Sequence, residues 1–307
     1  MAGGVSSRIR LRPCILAVLA FVAFGCPVAG PGVVRAQQRQ DAAPTKIDFR
    51  GVMHMQRKLV LEQARALAPQ RPGVADLYFI GFGGDAKQNV FLSEVRFAKS
   101  LFDQRFGTDH RSIVMVNNRA TIDELPLANL DNLRLALNFV SRTIDREEDV
   151  VFLFITSHGS RDHQLWLDMP PLSIDNINVP ALQKVLDQSR IKWRVIVISA
   201  CYSGGFVEAL SDDQTLMMTA ARADRTSFGC TNTAKFTYFG RAYFAEALRL
   251  EYSFVKAFRM AEGTIRALER QQRFQQSFPQ IHIGKAIGGK LDQIETRLRQ
   301  AAQPAGN

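Results

Sequence analysis

The run VVFLFITSHGS, residues 150–160, decides the fold, and WRVIVISACYSGG, residues 193–205, repeats its logic. Val150 to Ile155 is continuously apolar, as is Val195 to Ile198. Short β-branched runs of this kind suit strands buried on both faces of a parallel sheet. In such sheets, ligands and reacting groups gather beyond the carboxyl ends of the strands. One strand then delivers His158 and the other Cys201 to the same rim. A thiol beside an imidazole is a recurring nucleophile and base pair.

Outward from these two runs, strand and helix patterns alternate. Strands are expected at 77–82, 112–116, 150–156, 193–199, 216–221 and 281–283. Helical spacing marks 47–68, 90–106, 128–144, 180–189, 237–250 and 253–274. Leu165-Trp166-Leu167 reads as a short hairpin with the segment after Pro171. The alternation argues for an α/β fold, a mostly parallel sheet with right-handed crossovers and helices on both faces.

The chain has 307 residues and is 46% hydrophobic, enough for a sizeable core. Arg8, Arg10 and Arg12 precede the apolar run Cys14 to Gly25, and Val34-Arg35-Ala36 ends in small residues. That order and size describe a secretory signal over 1–36, too short for a comfortable transmembrane helix. Export to the periplasm or the outside is therefore expected, with no stable membrane span once the signal is removed. Lipoprotein anchoring at Cys26 stands second, because Ala23 and Phe24 make a poor cleavage box. Loss of 1–36 removes four arginines and no acid, so the formal charge falls from +10 to +6. The basic stretch Lys256, Arg259, Arg266, Arg270 and Arg273 is interrupted by Glu262 and Glu269. It reads as a solvated helix face; a nucleic-acid groove would interleave aromatics with the charge.

Only Cys201 and Cys230 remain in the mature chain. A disulfide between them would silence a nucleophilic Cys201. The bland readings are a loop histidine at His158 and a small buried hydrophobe at Cys201. Against them, both residues follow buried strands, and Gly159, Gly204 and Gly205 let backbone amides approach a bound group. Zinc held by His158, His163 and Cys201 is the second use of the same side chains, but the spacing of the two histidines does not align them on one helix face. A serine hydrolase through Ser203 lacks the Gly-x-Ser-x-Gly elbow.

With those islands in place, the chain resembles the legumain-like cysteine peptidases of the caspase-fold clan, the group of asparaginyl endopeptidase and GPI transamidase, and in particular its exported bacterial members. Ala200-Cys201-Tyr202-Ser203-Gly204 resembles the legumain Ala-Cys-Glu-Ser-Gly. Thr219-Ala220-Ala221, Thr226-Ser227-Phe228, Cys230 and Thr237-Tyr238-Phe239-Gly240 follow in the same order. The similarity runs from about Asp76 to Glu246.

The resemblance implies a caspase-like fold and an endopeptidase acting on peptide or protein substrates. Cys201 would be the nucleophile and His158 the general base and acid, with Gly159 and Cys201 offering amides to the oxyanion. Asn89 would orient the histidine, and Thr226 and Ser227 would pair with an extended substrate. The domain spans 76–290, after a polar segment and helix over 37–75 and before a helix-prone tail over 291–307. No metal or organic cofactor is needed.

Departures from the family pattern bear on specificity. Where legumains hold an asparagine side chain with one arginine and two acids, this chain has Phe91, Tyr202 and Arg241. Asn specificity is therefore expected to be lost. Arg241 would favour an acidic side chain if it points into the pocket, and would leave an apolar pocket if it points to solvent. A transamidase or ligase using the same dyad is the alternative activity; a non-catalytic binding module ranks below both.

Overall fold

The computed structural model describes residues 48–303; the proposed signal and lipoprotein cysteine lie outside them. The helices are α1 (Phe49–Arg65), α2 (Asn89–Arg105), α3 (Leu130–Thr143), α4 (Val179–Ser189), α5 (Val207–Leu210), α6 (Tyr238–Gly240), α7 (Leu248–Leu250), α8 (Phe254–Gln271) and α9 (Ile287–Ala301). The strands are β1 (Leu77–Gly83), β2 (Ser112–Val116), β3 (Val150–Thr156), β4 (His158–Gly159), β5 (Gln164–Trp166), β6 (Ile177–Asn178), β7 (Trp193–Ser199), β8 (Thr215–Thr219) and β9 (Gln280–Ile283).

Six strands form one sheet in the order β2-β1-β3-β7-β8-β9. The first five are parallel and β9 is antiparallel to β8. Order reverses between β1 and β3, since β1 is followed by β2 on one side and β3 on the other. In α/β sheets, sites gather beyond the carboxyl ends of the strands near such a reversal.

β1 and β3 are buried at every position, and the middle of β7 at Val195–Ile198, because both faces of the sheet are covered. Phe152, Phe154, Val195 and Val197 face α2, α8 and α9. Val151, Leu153, Ile155, Ile196 and Ile198 face α1, α3 and α4. Helix ends follow local chemistry. Asn129 caps α3 by accepting from the Asn132 N–H at 2.8 Å, and Ser253 caps α8 by accepting from that of Lys256. α4 starts on the Asn178 cap and stops at Arg190, which takes a left-handed φ of 55°.

Three expectations change. The continuous helix over 237–250 is α6 and α7 joined by a π-helical stretch, Arg241–Ala247. The helix-prone segment after 290 is, over its described residues, the continuation of α9, which crosses that boundary and buries Ile294 and Leu298 in the core. The hairpin of Trp166 is a three-stranded sheet, β4-β5-β6, whose first strand is His158–Gly159 itself. The four cations on α8, and Arg273 just past it, are exposed, whereas Glu269 turns inward and accepts from the Ser277 N–H. Among the described residues no helix is long and apolar enough to cross a membrane.

Candidate active site

β3 and β7 are ladder neighbours, with Thr156 opposite Ser199. Two residues beyond each stand His158 and Cys201. The Ser157 N–H donates to the Ser199 carbonyl at 3.2 Å, extending the pairing one step past the strands. The turns then touch: a Cβ on Gly159 would lie 2.1 Å from the Cys201 carbonyl oxygen. Only glycine fits there. His163, weighed above as a metal ligand, instead joins the β4–β5 turn to the cysteine turn, its Nδ1 lying 3.2 Å from the Tyr202 carbonyl oxygen.

His158 is half-buried between rings. Phe91 meets it edge-on, with centroids 5.2 Å apart at 83°. Trp166, its partner across the β4–β5 pair, lies at 6.4 Å and is itself 49% exposed. Burial disfavours the imidazolium and holds the His158 pKa below its ordinary 6.5; the Asp85 carboxylate pulls the other way and Lys87 adds to the lowering. Among the described residues the His158 ring makes no hydrogen bond. Asn89 Oδ1 accepts from Asn118 Nδ2 at 3.0 Å, so the orienting role implied for Asn89 is not played through a direct bond.

The thiol of Cys201 faces the segment after β8. Its Sγ accepts from the Ser227 N–H at 3.3 Å and donates toward the Ser227 carbonyl at 3.5 Å. The Tyr202 N–H donates to the Arg225 carbonyl at 2.7 Å. The Cys201 N–H has no acceptor among the described residues, which leaves it free for an oxyanion. Thr226 and Ser227 are half-buried in a stretch with no strand partner.

The three residues expected at the specificity pocket differ in their surroundings. Phe91 is 0% exposed and buttresses the imidazole, so it does not line an open pocket. Tyr202 adopts a left-handed φ of 57°, and the Arg161 guanidinium sits 5.6 Å from its ring centre. Arg241 is exposed and paired with Glu246 at 2.7 Å; both line a cavity of about 420 Å³ with Lys235 and Phe236. Its charge is thus partnered within its own helical stretch.

Cys201 and Cys230 are both free thiols, so the disulfide weighed above is not formed. Burial pushes the Cys230 thiol up, and the charges of Glu94, Cys201 and Asp85 add to this.

Sequence reading passed over two acids, one beside His158 and one bonded to Thr156 at the end of β3. Asp85 is buried in the loop after β1, its Oδ1 accepting from the Lys87 N–H at 2.7 Å. Glu94 is 1% exposed on the inner face of α2. The signal for Glu94 was its spacing: it lies four residues from both Val90 and Ala98, on the apolar stripe of its own helix.

The chain is similar to the caspase-1 of Spodoptera frugiperda in its crystal structure, with a TM-score of 0.49, 11% identity, and coverage of 71% of this chain and 93% of that one. No curated protein matches it. The model of the Peptidase C13 family matches residues 136–290, which include both His158 and Cys201. Spanning half of its length, that match shows that the chain belongs to the Peptidase C13 family, the legumain family of cysteine peptidases.

Proposed function

We propose that the protein is an endopeptidase working through a Cys201–His158 dyad and an acyl-enzyme. The observation that carries this reading is the register of β3 on β7, which sends the two turns off the sheet side by side. His158 takes the thiol proton as Cys201 attacks the scissile carbonyl carbon. The oxyanion is met by the amides of Gly159 and Cys201. The C–N bond then breaks, with His158 returning its proton to the leaving amine. Water attacks the thioester, gives a proton to His158, and releases the acid and the thiol.

Asn is not the preferred residue before the cleaved bond. In support, none of Phe91, Tyr202 and Arg241 offers the charge pattern that grips a neutral amide, and Arg241 is already paired with Glu246, which weakens the case for an acidic preference. Substrate lies extended along Thr226 and Ser227, next to the thiol. Mass spectrometry of a peptide library digested with added glycinamide tests these points. Cleavage after residues other than Asn is the expected result. Dominant cleavage after Asn would contradict the specificity, and amide-capped products would move the activity to transamidation.

The proposed signal over 1–36 directs export. N-terminal sequencing of the protein from a periplasmic fraction is expected to begin at Gln37; an intact Met1 in the cytoplasm would refute this.

A further inference from the structure

Glu94 is a carboxylate placed in an apolar core. It is 1% exposed, and among the described residues no cation pairs with it. Its bonds run to hydroxyls and one amide. Oε2 accepts from Thr156 Oγ1 at 2.6 Å, and Oε1 accepts from both the N–H and the hydroxyl of Thr237 at 2.7 Å. Thr237 Oγ1 also lies 3.3 Å from Ser199 Oγ and accepts from the Gly240 N–H at 2.9 Å. Thr156 and Ser199 face each other in the ladder, and each precedes one member of the dyad by two residues. The chain Thr156–Glu94–Thr237–Ser199 therefore closes a polar ring under the end of the sheet. Thr237 adds a third piece, because the neighbouring Tyr238 N–H donates to the Phe228 carbonyl at 2.9 Å and closes the loop that begins beside Ser227.

We propose that Glu94 is a positioning residue: it sets the His158 turn, the Cys201 turn and the Ser227 segment against one another. The proposal rests on the dyad read above. Stability alone does not account for such a group, since a well-packed apolar side chain avoids the desolvation of a buried carboxylate. The surroundings are also shaped to admit it: a Cβ on Gly240 would lie 1.8 Å from Glu94 Oε1. Burial pushes the Glu94 pKa up, while the bonds from Thr156 and Thr237 pull it down. Either protonation state can keep the ring, because a protonated Oε2 can donate to Thr156 Oγ1. Glutamine in place of Glu94 can do the same through its amide.

The test is the pH dependence of Cys201 alkylation by iodoacetamide in the full chain, with His158→Ala as reference, beside peptide kcat and KM. Glu94→Leu and Thr156→Val are expected to show the His158→Ala profile, with kcat down about 100-fold, the scale of an ångström misplacement, and KM little changed. Glu94→Gln is expected to stay near wild type. Thr156→Val removes a single hydroxyl, so it decides the matter if Glu94→Leu fails to fold. A His158-dependent wild-type profile left intact by Thr156→Val would overturn the proposal alone. A wild-type profile indifferent to His158→Ala would overturn the dyad, and the proposal with it.

Discussion

The imidazole of His158 is steered by rings, and that sets its acidity. Phe91 excludes water from one side and keeps the neutral form favoured at lower pH than an ordinary histidine allows. A general base must be neutral to accept the thiol proton, so kcat/KM should fall only as pH drops below about 6.5. Phe91→Leu admits water and weakens the desolvation. Its acid limb is expected to move up toward that value, and an unmoved limb in a pH–rate profile would contradict the account. His158 and Cys201 were legible in the sequence because each ends an apolar run. Glu94 was not, because a glutamate in an amphipathic helix reads as surface unless its place on the apolar stripe is checked. Phe91 was expected at the substrate pocket, whereas it is fully buried against His158, and no local pattern carries that packing.

Among the elements, the β4–β5–β6 sheet matters most for the site, since it carries His158 and Gly159 onto the cysteine turn. Gly159→Ala forces a methyl group against the Cys201 carbonyl. We expect a loss of about 100-fold or more in kcat/KM, because the two turns must separate by the order of an ångström. Steady-state kinetics beside thermal unfolding would show it; retained activity would mean the turns are not rigidly joined. The β5–β6 hairpin was legible in the sequence, but β4 was not, because a two-residue strand has no periodicity. The long strands were legible for the opposite reason, each being buried on both faces. The π-helical stretch Arg241–Ala247 was also missed, since its residues keep an ordinary helical pattern while the ladder shifts by one.

Across the whole molecule, the sheet divides two apolar layers, and the denser aromatic one backs α2. Phe102 is 0% exposed and packs on Phe152 at 4.4 Å, Phe106 at 4.7 Å and Phe79 at 4.8 Å. Phe102→Ala is expected to cost about 3–5 kcal/mol in urea unfolding, in line with buried aromatic truncations. Less than 1 kcal/mol would mean the layer repacks freely. Overall architecture was the most legible level, because strand–helix alternation leaves few topologies. The packing of α9 was passed over although Ile287, Leu291, Ile294 and Leu298 recur at helical spacing, because the domain boundary drawn at 290 cut that stripe after its first residue.

The central claim is that this sheet presents Cys201 to a peptide bond. The most direct measurement is mass spectrometry of a mixed-peptide digest by the mature chain, wild type beside Cys201→Ala, under reducing conditions. Cleavage by wild type alone is the predicted result. Equal cleavage by both proteins, or none by either while both remain folded, would contradict it.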